Sequence, residues 1–228
     1  MMSHTTMIFD LDGTLFQTEK VAVPAFRRAF ERLRRTGQYY GPLPTDEEIQ
    51  SVFGLTHVEI WNRLLPDADE QTKQTADRWM LEEELHCLQN GMGALYPGVN
   101  ETLHRLAQEG WRLFIASNGI LPYVKGVLTA FELHPLFSEI YTAGEYQTRE
   151  KKDLVRILMD EHGVTGGYMV GDRSSDVEAG LANGLTVIGC RYAGFPSFSG
   201  ERELDGAHVV IDSFPSLLNV VKGVSDKG

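Results

Sequence analysis

Ile8-Phe9-Asp10-Leu11-Asp12-Gly13-Thr14-Leu15 decides how this chain is read. An apolar run stops at two aspartates two residues apart, and a glycine turn begins. An extended segment puts alternate side chains on the same face, so residues 7–11 read as a strand that presents both carboxylates on one side. Two like charges this close need a cation or a shared proton. A small hard cation with oxygen ligands, Mg²⁺ above all, suits the pair. The same residues also fit an Asx turn closed by glycine at a strand end.

Around this stretch lie 228 residues, enough for one full core and a smaller second unit. The hydrophobic share of 42% and charged share of 23% are those of a soluble globular protein. A formal net charge of −11 leaves no basic footprint for nucleic acid. No apolar run approaches the roughly 20 residues of a membrane span, and the first residues lack the pattern of a secretory signal. Cys87 and Cys190 are far apart and outside any metal-ligand spacing, which suits buried free thiols in a reducing compartment. The expectation is a cytoplasmic protein with a small-molecule ligand, as a monomer or homodimer.

Further apolar runs follow at residues 111–117, 140–143, 168–171, 186–190 and 208–211. Several are apolar at consecutive positions, as in Leu113-Phe114-Ile115-Ala116, the mark of parallel strands buried on both faces. Between them lie helical patterns through Val99, Leu103 and Leu106, through Leu154, Ile157 and Leu158, and over residues 176–183. This alternation predicts a Rossmann-like, doubly wound α/β core of parallel strands. Residues 16–92 interrupt it with helices alone. Phe26, Ala29, Phe30 and Leu33 share one face, and N-caps fall at Thr45, Thr56 and Asp67, each with Glu three positions on. Residues 89–93, rich in Gly and Asn, read as a hinge back to the sheet. The predicted organisation is a core of residues 1–15 and 93–228 with an inserted helical cap of residues 16–92.

In a parallel sheet, ligands bind outside the carboxyl ends of the strands. Ser117-Asn118-Gly119 ends one strand, and its hydroxyl and backbone N–H groups suit phosphate oxygens or simply a tight turn. Gly171-Asp172-Arg173-Ser174-Ser175-Asp176 ends another, with acids at both ends that fit a cation site or a helix cap. Lys151 and Lys152 open a helix, where the dipole disfavours a cation. A phosphate or nearby carboxylates would explain them, as would solvated pairing with Glu150 and Asp153.

The order Asp-x-Asp-Gly-Thr, Ser-Asn, Lys and Gly-Asp-x-x-x-Asp resembles the haloacid dehalogenase superfamily, and the likeness spans nearly the whole chain. Residues 16–92 look like its helical type of cap. The resemblance implies that Asp10 attacks phosphorus to form an aspartyl-phosphate, and that Asp12 acts as general acid and then base. It implies that Ser117 and Asn118 bind phosphoryl oxygens, and that Lys151, favoured over Lys152 by its distance to Gly163, neutralises charge. Asp172 would hold Mg²⁺ with Asp10 and the backbone carbonyl of Asp12, and Asp176 would support the metal's water shell or the lysine. No proline follows the lysine, unlike in many relatives.

Asp12 argues against carbon–halogen chemistry, which needs no protonated leaving group. Phosphonate cleavage in this superfamily uses a cap lysine, and neither Lys20 nor Lys73 falls at the expected place. Ala22 and Val23 stand where β-phosphoglucomutase-like members carry a histidine, which disfavours a mutase. What remains is a phosphatase of small phosphorylated metabolites, similar to the phosphoglycolate phosphatase branch. A catalytically silent phosphometabolite-binding relative is the other class, and the intact Asp10–Asp12 pair speaks against it. Substrate choice is expected on the cap loop at residues 53–57, where His57 reads more readily as solvated than as a ligand. The arginines between residues 27 and 35 read as an outer helix face.

Overall fold

The computed structural model describes residues 6–196, 200 and 202–225. Six strands form one sheet: β1 (Thr6–Phe9), β2 (Arg112–Ser117), β3 (Glu139–Thr142), β4 (Tyr168–Gly171), β5 (Thr186–Cys190) and β6 (Val209–Ile211). Their order is β3-β2-β1-β4-β5-β6, and every pairing is parallel. The chain works outward from β1 through β2 to β3, then returns to lay β4 on the other side of β1. That reversal opens a crevice at the carboxyl ends of β1, β2 and β4.

Alternation along β1 explains the unbroken apolar runs. Met7 and Phe9 join one buried cluster, while Ile8 joins another across the sheet. The first cluster is covered by α5 (Val99–Gln108), α6 (Leu121–Ala130) and α10 (Leu217–Ser225), through residues such as Leu103, Val127 and Leu217. The second is covered by α8 (Lys151–His162) and α9 (Ser174–Ala182), through Leu154, Leu158 and Ala179. A short α7 (Ala143–Tyr146) follows β3. Each large side chain so buried contributes about 1.5–3 kcal/mol.

Between β1 and β2 run α1 (Glu19–Arg35), α2 (Asp46–Gln50), α3 (His57–Leu64) and α4 (Glu70–Gln89). Their apolar faces build a core of their own around Phe26, Phe30, Ile49, Trp61 and Met80. Arg32 on the outer face of α1 pairs with Glu82 and Glu83 of α4 at 2.8 and 3.0 Å, as the basic stretch leads one to expect.

Two local expectations are corrected. β1 ends at Phe9 rather than Leu11, because the backbone turns there: the Leu11 carbonyl accepts from the N–H groups of Leu15 and Phe16 at 2.9 and 3.0 Å. The N-cap of α4 is Asp69, not Asp67; its carboxylate accepts from the Thr72 N–H at 2.7 Å. Asp67 is used up in a turn over residues 65–68 that has Pro66 at its second position and is closed by the Ala68 N–H on the Leu65 carbonyl. At Thr45 and Thr56 the expected caps form, with backbone N–H donation to Glu48 and Glu59 at 2.7 and 2.9 Å. Both cysteines are free and buried. Among the described residues no helix is long and apolar enough to cross a membrane.

Candidate active site

The loop after β1 is shaped by Gly13, whose φ of +79° is in the left-handed region. A Cβ there would lie 2.4 Å from an oxygen of Asp172, so the missing side chain is what admits that carboxylate. Gly171, at the end of β4, does the same for Asp176, whose Cγ would lie 2.2 Å from an added Cβ. Gly13 and Gly171 are therefore packing requirements of Asp172 and Asp176.

Asp10 continues β1 with its N–H on the Val170 carbonyl at 2.9 Å. Its Oδ1 accepts from Lys151 Nζ at 2.6 Å, and the same ammonium reaches Asp176 Oδ1 at 2.6 Å. Lys151 is buried, while Lys152 is half-exposed and paired with Glu150, which places Lys151 in the site and Lys152 outside it. The unfavourable position of Lys151 at the first turn of α8 is offset by these two carboxylates. Burial pulls its pKa down, but Asp10 and Asp176 outweigh that and hold the lysine firmly charged.

The Thr14 hydroxyl lies between Asp10 Oδ2 at 3.4 Å and Asp172 Oδ1 at 3.3 Å, and its single proton can serve one at a time. Carboxylate oxygens of Asp10, Asp172 and Asp176 lie within 4.8 Å of one another. Burial pushes the Asp10 carboxyl up to about 7, against the pull of Lys151 and with the help of Asp176 and Asp12. Burial likewise drives Asp172 well above the carboxylate range, with Asp10 and Asp176 adding to it. Three acids facing one lysine leave negative charge in excess. Hard oxygen donors in excess, packed without intervening side chains, fit a small divalent cation.

Asp12 faces the cavity but turns away from this group. Thr18 Oγ1 and Tyr123 Oη both donate to its Oδ1 at 2.7 Å. Burial raises its pKa, and those two hydrogen bonds oppose the rise. Burial is the largest cause of the rise.

Ser117 is buried at the end of β2, its Oγ accepting from the Gly119 N–H at 3.0 Å. Asn118 reaches across to the helical insertion, donating from Nδ2 to the Gly54 carbonyl at 3.0 Å. A cavity of about 50 Å³ joins Asp10, Asp12, Ser117, Asn118 and Lys151 to Ala22, Phe53, His57 and Glu84 from the insertion. His57 is not the solvated residue expected: its side chain is 16% exposed and its Nδ1 meets Asp77 Oδ1 at 2.5 Å. Trp61 Nε1 donates to the same oxygen at 2.7 Å.

The motifs did not point to Thr18, Tyr123 or Glu84. Thr18 and Tyr123 carry no sequence signal, because only the fold brings them to Asp12. Glu84 does carry one. It breaks an apolar stripe of Ala76, Met80 and Cys87 on α4 and is buried there.

The chain is similar to known proteins over nearly its whole length. Phosphoglycolate phosphatase of Aliivibrio fischeri is 29% identical over 226 residues, covering 93% of this chain and 94% of the relative. Pyrophosphatase PpaX of Halalkalibacterium halodurans is 26% identical over 226 residues, covering 96% and 98%. The solved structure of CbbY from Rhodobacter sphaeroides in complex with phosphate shares the fold, with a TM-score of 0.80 at 24% identity over 93% of this chain and 96% of that one. The family model for haloacid dehalogenase-like hydrolases matches residues 7–190, and the chain belongs to that family.

Proposed function

We propose that this hydrolase is a Mg²⁺-dependent phosphatase of small phosphorylated metabolites that works through an aspartyl-phosphate on Asp10. The observation that carries the reading is the division of labour between two buried aspartates. Asp10 is held by Lys151 at 2.6 Å within the acidic group, while Asp12 is held separately by Thr18 and Tyr123. Similarity to proteins named phosphoglycolate phosphatase and pyrophosphatase supports it.

A Mg²⁺ ion on Asp10, Asp172 and the Asp12 carbonyl would supply positive charge to the phosphoryl oxygens. Lys151 adds a fixed positive charge from the opposite carboxylate partner, with Asp176 keeping the ammonium in place. Ser117 and the backbone N–H groups beside it receive the phosphoryl oxygens. An Asp10 oxygen forms a bond to phosphorus as the bond to the ester oxygen breaks. Asp12 gives that oxygen its proton, so an alcohol leaves. Both hydrogen-bond donors converge on Asp12 Oδ1, which leaves Oδ2 to carry the proton. The carboxylate so formed takes a proton from water, whose oxygen attacks phosphorus. Inorganic phosphate leaves and Asp10 is restored.

Residues 16–92 act as the cap over this site, with residues 89–93 as its hinge, because the insertion has a core of its own and its loop at Gly54 touches Asn118. The test is Mg²⁺-dependent hydrolysis of p-nitrophenyl phosphate by the purified protein. Asp10→Asn should abolish it; activity retained in that variant, or a wild-type protein inert toward phosphate esters, overturns the reading.

A further inference from the structure

Glu84 is the one acid of the insertion that lies buried against the catalytic cavity without a job in the reaction. It is 4% exposed, it lines the cavity with Asp12 and Tyr123, and it has no hydrogen-bond or ion-pair partner among the described residues. Its oxygens are not among the fully enclosed unpartnered atoms and open on the cavity instead, so whatever occupies the cavity is what partners them. The insertion also lines the cavity with the apolar side chains of Ala22, Phe26, Ile60 and Met80, none of which can provide a donor.

We propose that Glu84 selects the organic half of the substrate, favouring leaving groups that present a hydroxyl or ammonium donor over those that present a carboxylate. This rests on the phosphatase reading, which puts the phosphoryl end at Asp10 and Lys151 and so turns the leaving group toward Asp12 and the insertion. The other charged groups facing the cavity do not reverse the preference. His57 is hydrogen-bonded to Asp77 at 2.5 Å, and Arg173 lies beside Gly54 with Glu203 at 3.7 Å. Asp12 and Asp77 add negative potential at Glu84. A ligand hydroxyl or ammonium would donate to a Glu84 oxygen, and an ammonium would also draw Glu84 into its anionic form, whereas a ligand carboxylate would do neither.

Three phosphonates of matched size separate the possibilities: 2-hydroxyethylphosphonate, 2-aminoethylphosphonate and phosphonoacetate. Their binding to the wild-type protein with Mg²⁺, followed by calorimetry, does not require turnover. At least one of the two donor-bearing compounds should bind about tenfold or more tighter than phosphonoacetate, and which one does so distinguishes a hydroxyl from an ammonium. In Glu84→Gln, which is isosteric and uncharged, the gap should shrink to about threefold or less. The inference is overturned if phosphonoacetate binds as tightly as the others, if neither donor-bearing compound binds, or if the gap survives in Glu84→Gln. Failure of the phosphatase reading shows separately, as a wild-type protein that does not hydrolyse p-nitrophenyl phosphate.

Discussion

Asp12 shows how much chemistry rests on a single buried side chain. Among the described residues it receives two hydrogen bonds on one oxygen and none on the other, so it is oriented as well as desolvated. An asparagine at this position keeps the shape and the bonds to Oδ1 but has no proton to give to a leaving alkoxide. General acid–base catalysis contributes about 10²–10⁴-fold. Asp12→Asn should therefore lower kcat for alkyl phosphate esters by roughly that factor, while leaving Mg²⁺ binding measurable by calorimetry. A kcat within a few-fold of wild type would remove Asp12 from the proton transfer. Tyr123→Phe should be milder, because Thr18 still holds the same oxygen. The loss of one hydrogen bond to a charged group, about 1.5–3 kcal/mol, sets an upper limit of about a hundredfold on its effect on kcat/KM. The Asp10–Asp12 pair was legible in the sequence because both acids flank one strand end. Their separate roles were not, because Thr18 and Tyr123 reach Asp12 only through α1 and α6.

Among elements, the loop from Asp10 to Phe16 is the most constrained. It must turn the chain away from the sheet, leave Asp10 facing Lys151 and make room for Asp172, and Gly13 meets all three demands. Gly13→Ala would force a Cβ to within 2.4 Å of the Asp172 carboxylate at a φ of +79°. Strain of this kind costs about 1–3 kcal/mol, and the displaced carboxylate leaves the cation group. The variant should melt several degrees lower and lose most of the Mg²⁺-induced rise in Tm that mass action gives the wild type. Equal Tm values with and without Mg²⁺ in the two proteins would refute this account of the loop. Strands and long helices were readable from their apolar patterns, since burial on both faces of β1, β2 and β4 leaves polar residues only at strand ends, such as Thr6, Arg112 and Ser117. The cap of α4 was misplaced because Asp67 and Asp69 have the same chemistry, and only the turn made by Pro66 decides between them. Helix α10 went unread because its strand-like apolar pairs, such as Leu217-Leu218, carry little helical periodicity over so short a span.

At the scale of the whole molecule, two hydrophobic cores meet across a cavity that neither could form alone, and ionisable groups are buried between them. Strand order is invisible in the sequence, so the convergence of Asp10, Lys151 and Asp172 could be expected only from the resemblance to a family. The cost of this architecture is measurable at Glu84. Burial, with Asp12 and Asp77 adding to it, raises its pKa well above the ordinary 4.5. An acid whose pKa is higher in the folded state than in the unfolded one favours folding fully below its unfolded pKa, and that contribution is lost as pH rises through the folded value. Between the two, stability falls by about 1.36 kcal/mol per pH unit for this one group. Glu84→Gln does not titrate, so its stability relative to wild type should increase steadily as pH is raised above 4.5. Urea unfolding of both proteins across a pH series without added Mg²⁺ measures the difference directly, and the other buried acids, common to both, largely cancel. Parallel pH profiles would mean that Glu84 ionises as easily in the folded protein as in the unfolded chain, and that the cavity between the two cores is open enough for water to solvate it.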